Sequence, residues 1–84
     1  MTNKECVLDS LIDDGECFTQ IKEYFDQFNI SIEDYELQDL LDDMEREQLI
    51  SVSTSWVNEK NEHPYYLTTK GKEMWKNANW NDEE

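Results

Sequence analysis

Leu37-Gln38-Asp39-Leu40-Leu41-Asp42-Asp43-Met44-Glu45-Arg46-Glu47-Gln48-Leu49-Ile50 is the stretch that decides the architecture. Leu37, Leu40, Leu41 and Met44 fall at helical spacing and make one narrow apolar stripe, while the positions between them up to Glu47 are almost all charged. Gln48-Leu49-Ile50 breaks that period. From Ile50 the spacing becomes two, with Ile50, Val52, Thr54 and Trp56 on one face and Ser51, Ser53, Ser55 and Val57 on the other. That alternation is the mark of a strand, and it predicts Trp56 on the inner face.

Upstream, Ser31 stands as the N-cap of this helix, with Ile30 and Tyr35 at the positions of a hydrophobic staple. Thr19 caps a second helix bearing Ile21, Phe25 and Phe28 and ended by Asn29. Thr2-x-x-Glu5 reads as a capping box opening a first helix, whose stripe is Val7, Leu8, Leu11 and Ile12 and whose left-handed end is Gly15. Downstream, residues 59–64 are a polar turn, and Tyr65-Tyr66-Leu67 is a second short strand that pairs with the first. Thr68 or Thr69 caps a last helix carrying Met74, Trp75 and Ala78. Residues 1–80 form one domain, and 81–84 are an acidic tail expected to fray.

The chain has 84 residues, of which 18 are Leu, Ile, Val or Phe and ten are aromatic. So few aliphatics would suit disorder, but the large rings supply the missing apolar area, and the expectation is a small folded core. Cys6 and Cys17 adjoin apolar residues and read as buried thiols in a reducing, cytoplasmic setting rather than as a disulfide. No apolar run is long enough to cross a membrane, and the N-terminal residues lack a signal-peptide pattern. One histidine, His63, and two distant cysteines make no zinc site. Asp13-Asp14-Gly15-Glu16 lacks the alternating ligands of a calcium loop. No cleft-forming acid–base pair or phosphate-cradling glycine loop is present. The expectation is a protein with no metal, no cofactor and no enzymatic activity.

Leu37-x-x-Leu40-Leu41-x-x-Met44-Glu45-x-x-Gln48-Leu49-Ile50 and Tyr65-x-Leu67-Thr68-x-x-Gly71, in that order, resemble two stretches of the small MarR- and PadR-type winged-helix proteins. The resemblance covers residues 5–78. It implies a winged helix-turn-helix, mainly α with a β-hairpin wing (α+β), in the order α-α-α-β-β-α. Two features depart from the family. Gln48 stands where a glycine is usual, and the long extra helices through which such repressors dimerise have no counterpart here.

Charge is the third departure. The chain carries 21 acids and 7 bases, net −14. Residues 33–47 hold eight carboxylates against Arg46, net −7, on the helix that the resemblance would place in the major groove. DNA affinity rests largely on Lys and Arg displacing counterions from phosphates. Glu36, Asp39, Asp43 and Glu47 recur about one turn apart, ~5 Å along the axis, as an anionic ridge. The sequence-based expectation is therefore a non-enzymatic acidic module that binds a basic protein surface: a nucleic-acid mimic, an antitoxin or a modulator of a DNA-binding protein. Contact aromatics would be Tyr35, Tyr66 and Trp80. Solvation alone is the plainer reading of the same acidity. Two alternatives remain: a small transcriptional regulator that binds DNA directly, through Lys60, Lys70 and Lys72 in and beside the wing, or a homodimeric scaffold around Trp75 and Trp80.

Overall fold

The computed structural model describes residues 2–77. Ala78, Trp80 and the acidic tail lie outside the described residues. The observed order is α1 (Asn3–Leu11), α2 (Phe18–Gln27), α3 (Asp34–Arg46), β1 (Ile50–Val52), β2 (Tyr65–Leu67) and α4 (Thr69–Lys76).

Helix α1 begins as its capping box requires. The Glu5 amide donates to Thr2 Oγ1 (3.1 Å), and the Thr2 amide donates to Glu5 Oε1 (2.8 Å). Its end departs from expectation, because it stops at Ile12 without a left-handed residue, and Gly15 has no positive φ. Gly15 is needed for another reason: a Cβ there would lie 2.3 Å from the ring of Tyr66. The segment after α1 runs against the hairpin, where Glu16 and Tyr65 exchange backbone hydrogen bonds of 3.1 and 2.8 Å.

Helix α2 starts two residues earlier than a Thr19 cap would place it, with Cys17 as N-cap and the Cys17 amide donating to Gln20 Oε1 (2.9 Å). Ile21 and Phe25 are buried, whereas Phe28 lies past the last helical residue, is exposed, and meets Tyr24 edge-on. Asn29 ends the helix in the left-handed region at φ 57°. Helix α3 begins at Asp34 rather than after Ser31. The cause is Ile32, which is buried and must be carried inward by extended backbone before the helix can start. The staple positions move with the cap, from Ile30 and Tyr35 to Ile32 and Leu37, both in the core. Tyr35 is left 69% exposed.

Leu37, Leu41 and Met44 pack against Cys6, Val7, Leu8 and Leu11 of α1, Ile21 and Phe25 of α2, and Leu49 and Ile50. Leu40, Tyr65, Leu67 and Trp75 flank this cluster. The hairpin is shorter than the alternating pattern suggests: three residues per strand, antiparallel, with Ile50 opposite Leu67 and Val52 opposite Tyr65. Trp56 is correspondingly not on an inner face, since it lies beyond the last paired residues and is 46% exposed. In α4, Thr68 is the cap, its hydroxyl accepting from the Gly71 amide (3.0 Å). Trp75 packs on the core and donates from Nε1 to Asp9 Oδ1 (2.9 Å), while Met74 is exposed. Asp9 also accepts from the Tyr24 hydroxyl, so one carboxylate on α1 holds both α2 and α4. Burial, then the Tyr24 hydrogen bond to Asp9 and the nearby negative charge, pushes the phenol well above its ordinary range.

Both thiols are fully buried and unpaired. Burial first, and then the Asp9 charge, raises the Cys6 thiol to about 11. Cys17 is raised by burial and by Glu62 and Glu16, and its Sγ donates to the Glu62 carbonyl (3.4 Å).

Gln48 occupies the tight turn between α3 and β1 at φ 65°, in the left-handed region that favours glycine. Replacing it with glycine removes a backbone penalty of ~1 kcal/mol and returns part of that through the freer unfolded chain. Gln48→Gly is therefore expected to raise stability by ~0.5 kcal/mol. Leu41→Ala, which empties the centre of the core, is expected to lower it by ~2–5 kcal/mol. Urea unfolding of both variants checks the phasing of the helix and the strain in the turn; a loss below ~1 kcal/mol for Leu41→Ala would place that side chain outside a tight core.

Candidate nucleic-acid interface

The first turns of α2 and α3 and the base of the β1–β2 loop meet on one side of the molecule. Phe18, Asp34, Tyr35, Gln38, Val52, Glu62, His63 and Tyr65 line an open cleft of about 470 Å³ between them. Its position follows from the short strands: with pairing ending at Val52 and Tyr65, the next twelve residues are free to fold back beside the helices.

Glu62 organises that loop. Its carboxylate accepts from the Thr19 amide (3.2 Å), the Thr19 hydroxyl (2.9 Å) and Asn58 Nδ2 (3.0 Å), and so covers the N-terminus of α2. The Asn58 side chain returns the contact, accepting from the amides of Lys60 and Glu62, both at 2.9 Å. Asn61 closes the turn at φ 63°. His63 Nδ1–H donates to the Trp56 carbonyl (3.2 Å). Burial disfavours charge on Glu62, but the hydrogen bonds from Asn58 and Thr19 and the nearby Lys60 outweigh it, holding the carboxyl below the ordinary glutamate range.

The four carboxylates of the expected ridge are all exposed, and three of them have partners within the chain. Glu36 accepts from the Glu33 amide at the start of α3 (2.9 Å). Asp43 pairs with Arg46, and Glu47 with Lys4 (3.1 Å). Asp39 faces solvent on the same helix. Gln38 donates to Asp42 Oδ1 (3.1 Å) and reaches the Tyr65 hydroxyl (3.4 Å), which links the outer face of α3 to the hairpin. Of the expected aromatic contacts, Tyr35 is in the cleft wall, Tyr66 lies against Gly15, and Trp80 is outside the described residues. Lys60 is in the loop. Lys70 and Lys72 are on α4, and Lys70 Nζ donates to the Glu47 carbonyl at the end of α3 (3.0 Å). Among the described residues there is no cluster of His, Cys, Asp and Glu that could hold a metal, and no helix long and apolar enough to cross a membrane. Sequence reasoning missed Glu62, which belongs to no periodic pattern and is hinted at only by the Asn58-x-x-x-Glu62 spacing in a polar turn, and it misplaced Trp56, whose alternation with Ile50 and Val52 continues past the end of the strand.

No protein-family model matches this chain, and no curated protein matches it in sequence. Solved structures do match in three dimensions. A PadR-family transcription regulator from Clostridium difficile has 17% identity and a TM-score of 0.78 over 88% of this chain and 79% of its own. Bacillus subtilis PadR, solved in complex with operator DNA, has 22% identity and a TM-score of 0.76 over 96% of this chain and 46% of its own. A MarR-family transcriptional regulator from Silicibacter pomeroyi has 21% identity and a TM-score of 0.70 over 90% of this chain and 47% of its own. The fold is a winged helix-turn-helix, similar to PadR and MarR regulators, with α3 and the β1–β2 hairpin in the helix and wing positions. The chain spans under half the length of the last two proteins.

These likenesses correct the functional expectation drawn from charge. The matched structures are transcription regulators, and none associates this fold with capture of a basic protein surface. The reading of the chain as an acidic protein-binding module is set aside. Charge sign bears on affinity and kinetics, whereas the fold identifies the scaffold on which the surface is built.

The Glu62 contacts give a pH dependence whose sign is fixed. A carboxyl held below its unfolded value contributes stability above that value, ordinarily near 4.5, and loses it as pH falls through the folded value. Glu16, raised by burial and by Asp14, acts in the opposite direction. The comparison that isolates Glu62 is wild type against Glu62→Gln: the wild type should melt higher at pH 7, with the gap closing as pH falls below about 4.5. Equal melting temperatures at pH 7 would show that this carboxylate does not hold the loop.

Proposed function

We propose that this protein is a small winged-helix transcriptional regulator that binds duplex DNA directly, through α3 and the β1–β2 loop, and acts in the cytoplasm without catalysing a reaction. The observation that carries the reading is the likeness, over 96% of this chain, to a PadR solved on operator DNA. The joined face of α3 and loop around Tyr35, Gln38 and His63 supports it.

The outward residues of α3 are acceptors more than cations. Gln38 suits the edge of adenine, Asp39 and Asp42 suit the amino group of cytosine, and Arg46 suits guanine. Carboxylates near the backbone weaken contact with every sequence, so binding depends on base contacts that recover the loss at the right site. Such a protein discriminates strongly and holds non-specific DNA weakly. Phosphate contacts fall to the few lysines, with Lys60 on the loop and Lys70 and Lys72 on α4 as candidates. The salt dependence is correspondingly shallow, because each neutralised phosphate adds ~0.9 to the slope.

The test is selection of preferred duplexes from a random pool at ~50 mM salt, followed by anisotropy titration across salt concentrations. Enrichment of one sequence is expected, with Lys60→Ala reducing the salt slope by ~1 for every sequence alike. A pool that shows no enrichment and binds no better than to a neutral protein would overturn the reading.

A further inference from the structure

Gln38 ties the outer face of α3 to the hairpin through its side chain. Its Nε2 donates to Asp42 Oδ1, one turn further along the helix (3.1 Å), and to the Tyr65 hydroxyl on β2 (3.4 Å). The carboxylate fixes which end of the amide points where, because it only accepts. An amide nitrogen has two hydrogens, and here two acceptors take them. The group left to face outward is Oε1.

Tyr65 is a firm post for this contact. Its backbone exchanges hydrogen bonds with Glu16 (3.1 and 2.8 Å), it stands opposite Val52 in the hairpin, and its ring packs on the core. A glutamine on a helix surface otherwise samples many rotamers and loses that freedom on binding. Held from two sides, Gln38 has already given up much of it. Gln38 and Tyr65 also share the wall of the cleft between α3 and the hairpin.

The engagement of both hydrogens changes what Gln38 can read. A free glutamine meets adenine with two bonds, accepting from N6 and donating to N7. With its hydrogens taken, only acceptance remains. The bases that offer a donor in the major groove are cytosine at N4 and adenine at N6, whereas guanine and thymine show acceptors there. An acceptor-only Gln38 therefore admits cytosine and adenine alike and rejects guanine and thymine.

We propose that Tyr65 is a positioning residue for base selection: by holding the Gln38 amide it restricts one position of the target to a base with a major-groove amino group. This rests on the DNA-binding reading above. The side chain that meets the base stands on α3, and the group that sets its polarity stands on the hairpin.

The experiment uses the full chain and the duplex enriched by selection, with all four bases tried in turn at each position. Wild type, Tyr65→Phe, Gln38→Ala and the double variant are compared by competition anisotropy and thermal melting. Wild type should bind cytosine and adenine about equally at one position, and about fivefold or more above guanine and thymine. Gln38→Ala should flatten that preference and leave the other positions unchanged. Tyr65→Phe keeps the ring and frees a hydrogen of Gln38. Adenine should then gain about fivefold over cytosine at the same position, with melting close to that of wild type. In the Gln38→Ala background, Tyr65→Phe should change nothing there, since Tyr65 acts through Gln38. A wild-type base profile in Tyr65→Phe would overturn the proposal and leave DNA binding standing. A Tyr65→Phe effect that persists without Gln38 would assign the hydroxyl a direct contact and overturn the positioning role. Absence of binding by wild type to any duplex would overturn both readings.

Discussion

The Leu49 carbonyl fixes the relation of α3 to the rest of the molecule. It accepts from the Thr68 amide (3.1 Å) and lies 3.0 Å from the Thr68 hydroxyl, which also reaches the Gln48 carbonyl at 2.6 Å. The same hydroxyl caps α4. Helix α4 approaches so closely that a Cβ on Gly71 would come within 2.1 Å of that carbonyl oxygen. The Thr68-x-x-Gly71 spacing is therefore a docking requirement: threonine supplies the cap and the cross-link, and glycine supplies the clearance. With Lys70 covering the end of α3 through the Glu47 carbonyl, three residues at the start of α4, Thr68, Lys70 and Gly71, grip one turn. The angle between α3 and the hairpin, and with it the shape of the interface, follows from that grip.

The strain at Gln48 belongs to the same junction. A side chain is forced into a left-handed turn because the chain must reverse within one residue to bring Leu49 and Ile50 under the core. Asn29 and Asn61 meet the same demand with a residue that tolerates it better. Position 48 is thus where the sequence agrees least with its own backbone.

Much of the fold was legible in local chemistry. The stripe Leu37, Leu41 and Met44, the Thr2–Glu5 box and the Thr68 cap are short-range signals, and the structure honours each of them. The failures share a cause: they concern residues whose neighbours are distant in sequence. Ile32 delays the start of α3 to reach the core, Gly15 makes room for a ring fifty-one positions away, and Trp56 leaves the strand because pairing stops at Val52. The candidate site was legible only as a location. The net −7 of residues 33–47 was real but pointed to the wrong class of partner, since charge sets how strongly a surface is held and not what the scaffold is for. On the DNA-binding reading proposed above, an acidic α3 would act as a filter: it would penalise all DNA, and the correct bases would have to overcome the penalty.

The depth of the two native thiols has a practical consequence. Cys6 and Cys17 are wholly enclosed, and burial holds both in the unreactive protonated form at neutral pH. The folded protein is therefore chemically silent toward maleimides and iodoacetamides without any cysteine having to be removed. A single cysteine introduced on the exposed loop would carry a dye or a spin label against an empty background. The same silence is a meter of integrity, because thiol labelling of the unmodified chain counts the molecules whose core has opened.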